Sequence, residues 1–323
     1  MTFCARRLIG VMILAAALPA MASAQPYPTQ DIHFICTNPP GSGADVLVRY
    51  FASKIQEVSG RTVLVENRPG AGGNIAMELV ARSKPDGHTV LVHSAAAVAA
   101  SMGLFKKPPF PDAGKALAVA ATINRQPFML VVDAGAPYRT AGELTAAMKA
   151  KGTKASYGTQ SPFGTVMGEL YKVATGVTAV EVNYRSAADS LNDLASGSLN
   201  YATADPVFSL AQHRAGRLRI LGISTAERVK AAPELPTMTE QGVPMDLTGW
   251  WAAMVPQGTP VATIAQLNKW FVEVVSSDET RKFLANMGGD TLIETPAVAQ
   301  ERLVRDVEKW KDHIRVAKIQ PVG

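Results

Sequence analysis

The chain has 323 residues, of which 47% are hydrophobic and 18% are charged. This apolar fraction can bury a sizeable core and excludes wholesale disorder, and the length indicates about two domains. The formal net charge is +5, but the basic residues are scattered and do not alternate with aromatic residues, which argues against a nucleic-acid partner.

The first 24 residues have the features of a secretory signal peptide. Two arginines precede an apolar run, residues 8–18, that is too short to cross a bilayer, and Ala22-Ser23-Ala24 matches the small-residue cleavage pattern. Removal of residues 1–24 takes away both arginines and one of the two cysteines, and leaves 299 residues at a charge of +3. We therefore expect a periplasmic protein in which Cys36 is a buried thiol without a disulfide partner.

Strands and helices alternate along most of the chain. In the first part, β-rich runs at 32–36, 62–66 and 89–93 alternate with apolar residues at helical spacing over 44–59 and 74–82. The same theme continues with strands at 128–132, 155–157, 179–184, 199–203 and 218–224, and with helices at 140–149, 164–175, 187–196 and 208–215. Three helices, 261–276, 278–287 and 296–317, follow an apolar run at 250–255. This order predicts parallel βαβ units, in which the loops at the strand carboxyl ends form the binding site.

A glycine-rich loop, Gly41-Ser42-Gly43-Ala44-Asp45, lies between the first predicted strand and the first predicted helix. Unpaired N–H groups at the start of a helix attract anions, so this loop could bind a carboxylate or a phosphate. The alternative is an ordinary capping loop. The third glycine of a dinucleotide-binding motif is missing, and the second glycine-rich loop, 68–74, lacks the Lys-Ser/Thr of a P-loop and is interpreted as a tight turn.

Other polar residues also follow predicted strands. Each of them could simply cap a helix, but in a two-domain α/β protein they would together line one cleft. These residues are Ser94, Thr159, Gln160, Ser161, Tyr184 and Asp205. The five histidines show no metal-binding spacing, and neither a Gly-x-Ser-x-Gly elbow nor a paired-carboxylate motif is present, so a hydrolase or a metalloenzyme has little support.

Several motifs, in order along the chain, are similar to those of one family. VENRPGAGGNI at 65–75 is close to that family's VENRPGAGGNIG, and PDGHT at 85–89 resembles its PDGYT. VNYRSA at 182–187 and LPTMTEQG at 235–242 resemble its VPYKGSA and VPTVAEAG, and residues 249–260 resemble SWYGLLAPAGTP. The chain resembles the substrate-binding receptors of tripartite tricarboxylate transporters, also called Bug proteins, over essentially its whole length after the signal peptide.

The resemblance implies an α/β, two-lobed periplasmic-binding-protein type II fold with a hinge and a ligand cleft between the lobes. Lobe 1 would comprise residues 25–124, lobe 2 would comprise 125–248, and residues 249–323 would return to lobe 1. The chain would cross between the lobes near 124–128 and 248–250.

The resemblance also implies a receptor that is not an enzyme and has no catalytic residue, metal or cofactor. It would capture a small di- or tricarboxylate or an aromatic acid, present it to the membrane permease subunits of a transporter, and act as a monomer without nucleic acid. The carboxylate would contact backbone amides of the first loop, and closure of the second lobe would add contacts from Ser161, Tyr184 and Asp205. The ligand-binding residues expected in the first loop are Pro40, Gly41, Ser42, Gly43, Ala44 and Asp45.

The chain departs from the family's pattern within the expected site. The first loop has Asn38, Ser42 and Ala44 where the family has FPPGGGTD, and the region at 157–161 is about two residues shorter than the family's YGSSGNGS. Two other functions remain open on the sequence. One is a ligand-sensing receptor for a periplasmic signalling partner without a transport role, and the other is a secreted hydrolase on an α/β scaffold.

Overall fold

A computed structural model describes residues 27–184 and 187–322 of the chain. The predicted signal peptide, 1–24, lies outside these residues, as do Arg185 and Ser186 of the VNYRSA motif. No helix in the described ranges is both long enough and apolar enough to span a membrane.

Strands and helices alternate through most of the described chain. The strands are β1 (Ile32–Cys36), β2 (Val63–Asn67), β3 (Thr89–Ser94), β4 (Leu117–Gln126), β5 (Met129–Asp133), β6 (Ser156–Thr159), β7 (Val180–Asn183), β8 (Tyr201–Ala204), β9 (Leu218–Ile223), β10 (Gly249–Pro256) and β11 (Asp290–Thr291). The helices are α1 (Gly43–Ser59), α2 (Asn74–Ala81), α3 (Ala95–Leu104), α4 (Ala113–Ala116), α5 (Ala141–Lys151), α6 (Pro162–Thr175), α7 (Ala187–Ser196), α8 (Pro206–Arg214), α9 (Val261–Ser276), α10 (Asp278–Asn286) and α11 (Pro296–Val316).

The first sheet has the strand order β11-β4-β10-β3-β1-β2. Strands β1, β2 and β3 are parallel, whereas β10 is antiparallel to both of its neighbours, β3 and β4. All eight residues of β10 are buried, because helices cover both faces of the sheet. Alternate side chains enter two separate cores: Phe34 of β1 packs with α1 and α9, whereas Ile35 packs with α2 and α3.

The second sheet has the strand order β7-β6-β8-β5-β9. Strands β6, β7 and β8 are parallel, and β5 is antiparallel to β8 and β9. Helices α7 and α8 cover one face, and α5 and α6 cover the other. Two sheets, each covered on both faces, confirm the predicted α/β class.

The chain passes between the two sheets twice, and a buried serine forms hydrogen bonds with both connecting segments. The first passage is residues 127–128, between β4 and β5, and the second is residues 224–248, between β9 and β10. The Ser224 hydroxyl accepts a hydrogen bond from the N–H of Phe128 at 2.9 Å and donates one to the carbonyl of Leu247 at 2.6 Å. The backbone N–H of Ser224 also donates to the carbonyl of Phe128. The two connections therefore meet at one point.

Helix α6 of the second sheet packs directly against the first sheet's helices α3 and α11. The ring of Phe163 stacks on Phe128 with centroids 4.4 Å apart and meets Trp310 of α11 edge-on at 4.8 Å. The two lobes are thus held together by an aromatic cluster beside the crossings, in addition to the connecting segments themselves.

Some elements were not predicted from the sequence. The sequence pattern predicts neither α3 nor β4, and it predicts no helix or strand over residues 95–127. Both are buried along their length, so they lack the polar face that produces a helical or alternating pattern. The prediction of a buried, unpaired Cys36 is confirmed within the described chain.

Candidate functional site

Helix N-termini from both lobes meet at the carboxyl ends of the parallel strands. Helices α1 and α3 follow β1 and β3 in the first sheet, and α6 and α8 follow β6 and β8 in the second. If Gly43 carried a Cβ atom, that atom would lie 3.5 Å from the side chain of Val207. The starts of α1 and α8 are therefore in contact across the gap between the lobes.

Four of the expected site residues are helix N-caps in this structure. Ser42 accepts a hydrogen bond from the N–H of Asp45, and Ser94 accepts one from Ala97. Ser161 and Asp205 accept in the same way from Gly164 and Phe208. Each cap satisfies one of the unpaired donors of its own helix, and these bonds leave the hydroxyl protons of Ser94 and Ser161 unused.

The first loop is held in shape by the carboxylate of Asp45. One oxygen accepts hydrogen bonds from the N–H of Gly41 at 2.8 Å and from Arg49 at 2.9 Å, and the other accepts from Asn67 at 2.8 Å. Burial alone would raise the pKa of Asp45, but the hydrogen bonds from Arg49, Gly41 and Asn67 outweigh it, and the pKa lies below its usual range. Asp45 is therefore an ionised internal anchor of the loop.

Two main-chain donors of this loop remain unpaired. The N–H groups of Gly43 and Ala44 occupy the first two positions of α1, and no residue in the described ranges accepts a hydrogen bond from them. Pro40 and Gly41 are exposed at the loop tip, and Gly41 has φ +81°, a conformation that favours glycine. The loop thus offers a helix N-terminus with free donors on the side that faces the second lobe.

The second-lobe candidates are partly engaged within their own lobe. The Thr159 hydroxyl donates to the carbonyl of Ser161, and the Tyr184 hydroxyl donates to Asp193 at 2.6 Å. Burial and the Asp193 carboxylate raise the pKa of Tyr184 to about 12, and burial also raises the pKa of Asp205. Gln160 differs from them, because its buried side-chain nitrogen has no hydrogen-bond partner among the described residues.

A cleft of about 570 Å³ opens between the lobes, and of the expected site residues only Gln160 and Ser161 line it. Gln160, Ser161 and Pro162 from the second lobe line it opposite Gly72 of the first, and residues 317–320 and Val322 of the C-terminal segment form a further wall. The structure therefore brings the first loop to the start of α8 and brings Gln160 and Ser161 to this cleft. It places Tyr184 over Gly158 within the second lobe. In residues 27–184 and 187–322, no cluster of three or more metal-ligating side chains occurs.

Three further polar residues at this edge of the first sheet were not predicted as site residues. They are Asn74 at the start of α2, His93 near the end of β3 and Trp251 in β10. Each is buried and has one polar atom without a partner among the described residues. The sequence carried one signal for them, because a histidine that ends the apolar run Thr89-Val90-Leu91-Val92 interrupts an otherwise apolar buried strand.

The chain is similar over most of its length to proteins of one family. The family described as "Tripartite tricarboxylate transporter family receptor" matches residues 47–319. Protein BugT of Bordetella pertussis is 30% identical over 314 residues, which cover 95% of each chain.

Two solved structures extend the comparison to the fold. The structure titled "R. palustris Rpa4515 with adipate" has a TM-score of 0.83 at 27% identity and covers 91% of this chain and 99% of that chain. The periplasmic binding protein BugD has a TM-score of 0.81 at 23% identity and covers 91% of this chain and 100% of that chain, a likeness of fold alone. The periplasmic-binding-protein fold expected from the motifs is confirmed.

Proposed function

We propose, from the premise that this chain belongs to the tripartite tricarboxylate transporter receptor family, that it captures a small carboxylate between its lobes and presents it to the membrane subunits of a transporter. The membership confirms the resemblance drawn from the motifs at 65–75, 85–89 and 235–242. Members of this family are periplasmic binding proteins.

The observation that carries the proposal is the pair of unpaired N–H groups at Gly43 and Ala44. They lie at a helix N-terminus, next to a carboxylate, Asp45, that is already neutralised by Arg49. A ligand carboxylate would accept hydrogen bonds from both N–H groups and would interact favourably with the helix dipole. The adipate named in the structure of Rpa4515, at 27% identity, supports a carboxylate as the ligand class.

In this proposal the lobes close on the ligand about the crossings at Ser224. The second lobe contributes the start of α8, where Val207 faces Gly43, together with Gln160 and Ser161. Asp205 caps its own helix and Tyr184 donates its hydroxyl proton to Asp193, whereas the Ser161 hydroxyl, which accepts from Gly164, keeps a proton that it can donate to the ligand. The receptor would act as a monomer, without turnover of its ligand, after residues 1–24 are removed on export to the periplasm.

The test is isothermal calorimetry on the chain without residues 1–24, with mono-, di- and tricarboxylates and aromatic acids as ligands. We expect one class to bind with a Kd at or below about 10 µM, because preorganised donors in a closed cleft lose little on binding. A variant, Gly43→Leu, should weaken that binding at least about 100-fold, since its side chain fills the space between α1 and Val207.

The matched control is Gly142→Leu in α5, where the glycine is exposed and only the Thr140 hydroxyl lies within 4 Å of an added Cβ. This control should bind the same ligand with unchanged affinity. If no carboxylate binds the parent chain, the proposed function is wrong. If Gly43→Leu binds the ligand as tightly as Gly142→Leu does, the proposed anchor is wrong.

A further inference from the structure

The cleft of about 570 Å³ between the lobes carries charges of opposite sign on its two walls. Lys318, just after α11, lines the first-lobe wall, and it forms no ion pair with any described residue. Glu181 of β7 lines the second-lobe wall, where it accepts a hydrogen bond from the Thr165 hydroxyl at 2.7 Å but pairs with no described cation. The other acidic side chain of the cleft, Glu169, is already paired with Lys172 at 2.8 Å. Within the described chain, the cleft therefore offers one positive and one negative charge to a ligand.

Apolar side chains line much of the first-lobe wall. Leu104 ends α3 and Phe105 follows it, while Ile319 and Val322 belong to the C-terminal segment. Val322 is 58% exposed, so part of this apolar surface is in contact with water. A ligand with apolar side chains would remove this surface from water, which favours binding.

The second-lobe wall also includes the edge of a sheet. Strand β7 is the last strand of the second sheet and pairs with β6 alone. The N–H groups of Val180 and Tyr184 donate to carbonyls in and next to β6. Because main-chain groups of successive residues point to opposite sides of a strand, those of Glu181 and Asn183 point away from β6, and no strand of the described chain pairs with them. An extended peptide can pair with such an edge.

We infer that this cleft is a second binding site, which takes a short apolar peptide with free termini. The peptide's ammonium group would pair with Glu181 and its carboxylate with Lys318, while its main chain would lie along the edge of β7. Its apolar side chains would pack on Leu104 and Phe105. The inference goes beyond the proposed function and does not depend on the anchor at Gly43, because no residue of the first loop, 40–45, lines the cleft.

The experiment compares three peptides by calorimetry on the chain without residues 1–24. They are leucyl-leucine, N-acetyl-leucyl-leucine, which lacks the ammonium group, and leucyl-leucinamide, which lacks the carboxylate. Leucyl-leucine should bind with a Kd at or below about 100 µM. Each blocked peptide should bind at least about fivefold more weakly, because one of the two charge pairs is lost.

Two results of this comparison overturn the inference. One is the absence of leucyl-leucine binding, and the other is equal binding of the free and the blocked peptides. Both leave the proposed function standing, because that function is tested with carboxylates at the first loop.

Variants assign each terminus of the peptide to its wall. Glu181→Gln should weaken leucyl-leucine at least about fivefold and leave N-acetyl-leucyl-leucine within about twofold of its parent affinity, because that peptide has no ammonium group to lose. Lys318→Met should weaken leucyl-leucine in the same way and spare leucyl-leucinamide. The controls Glu234→Gln and Lys282→Met remove exposed charges that do not line the cleft, and both should bind leucyl-leucine as the parent chain does. A variant that weakens the free peptide and its matching blocked form equally overturns the charge pairing.

Amide hydrogen exchange, followed residue by residue by NMR, tests the contact with β7. Saturating leucyl-leucine should slow exchange at Glu181 or Asn183 at least about threefold, because a bound main chain protects the edge of the strand. The strand at the opposite edge of the same sheet, β9, is the internal control and should exchange as before. Unchanged exchange at both Glu181 and Asn183, or equal slowing in β9, overturns the placement of the peptide on β7.

Discussion

At the scale of single residues, Asp45 shows how one carboxylate can prepare a site without touching the ligand. It is 3% exposed, and it receives hydrogen bonds from the loop at Gly41, from its own helix at Arg49 and from β2 at Asn67. These three contacts join the loop to two separate elements, so the unpaired N–H groups of Gly43 and Ala44 keep a fixed direction.

We expect Asp45→Asn to lower the free energy of unfolding at pH 7 by about 2 kcal/mol. The amide cannot pair with Arg49 as an anion, and it places its own N–H groups against those of Gly41 or Asn67. Urea denaturation measures the change. The control Asp312→Asn removes an exposed aspartate from a surface pair with Arg315 and should change the value by less than about 0.5 kcal/mol.

The lowered pKa of Asp45 also predicts how the stability of the protein changes in acid. Because folding holds the pKa of Asp45 below its value in the unfolded chain, about 3.9, its ionised form stabilises the protein at neutral pH. This stabilisation is lost as the pH falls through the folded-state pKa. We measure the free energy of unfolding of the parent chain and of Asp45→Asn by urea denaturation. The difference between the two values should stay constant from pH 7 to 5 and should shrink below about pH 4. A difference that stays constant down to pH 2.5 would contradict this account.

At the scale of elements, the crossings depend on the buried hydroxyl of Ser224. Ser224→Ala leaves the N–H of Phe128 and the carbonyl of Leu247 without this partner, and we expect a loss of about 1–3 kcal/mol in the free energy of unfolding. Faster hydrogen exchange at 127–128 and 224–248 should accompany the loss. Ser196→Ala, which removes an exposed hydroxyl, is the control and should leave exchange in these segments unchanged.

The elements also show what a sequence pattern can and cannot predict. Helix α1 was predicted to within one residue at its start, because its apolar residues face one side and Gly60 ends it in a left-handed conformation. Helix α3 was missed because it is rich in alanine and buried nearly all round. Strand β4 was missed for a related reason: its first eight residues are all buried, so no polar alternation marks them.

For the candidate site, local signals sufficed only for groups that lie in one loop. Gly41-Ser42-Gly43 between a strand and a helix predicted the helix N-terminus whose donors remain unpaired. Asn74, His93 and Trp251, each with a buried polar atom that has no partner among the described residues, lie on three different elements, α2, β3 and β10. Residues that are far apart in sequence have no common pattern to find.

At the scale of the whole molecule, closure of the lobes depends on the contact between α1 and α8. We expect Val207→Lys to weaken binding of the tightest carboxylate ligand at least about tenfold, because a desolvated ammonium opposes the contact with Gly43. Small-angle scattering at saturating ligand should then show a larger radius of gyration than in the parent chain. Val173→Lys, at an exposed valine in α6, should close normally.

The proposed anchor contains no free cation, and this affects how the receptor meets its ligand. Arg49 is paired with Asp45, and the N–H groups of Gly43 and Ala44 carry only partial charges that act over the first turn of a helix. The anchor itself therefore contributes little to the long-range attraction of an anion, and a salt dependence of the association rate would come from the net charge of +3 carried by the chain without residues 1–24. Salt should therefore change how fast the ligand arrives more than how firmly the anchor holds it.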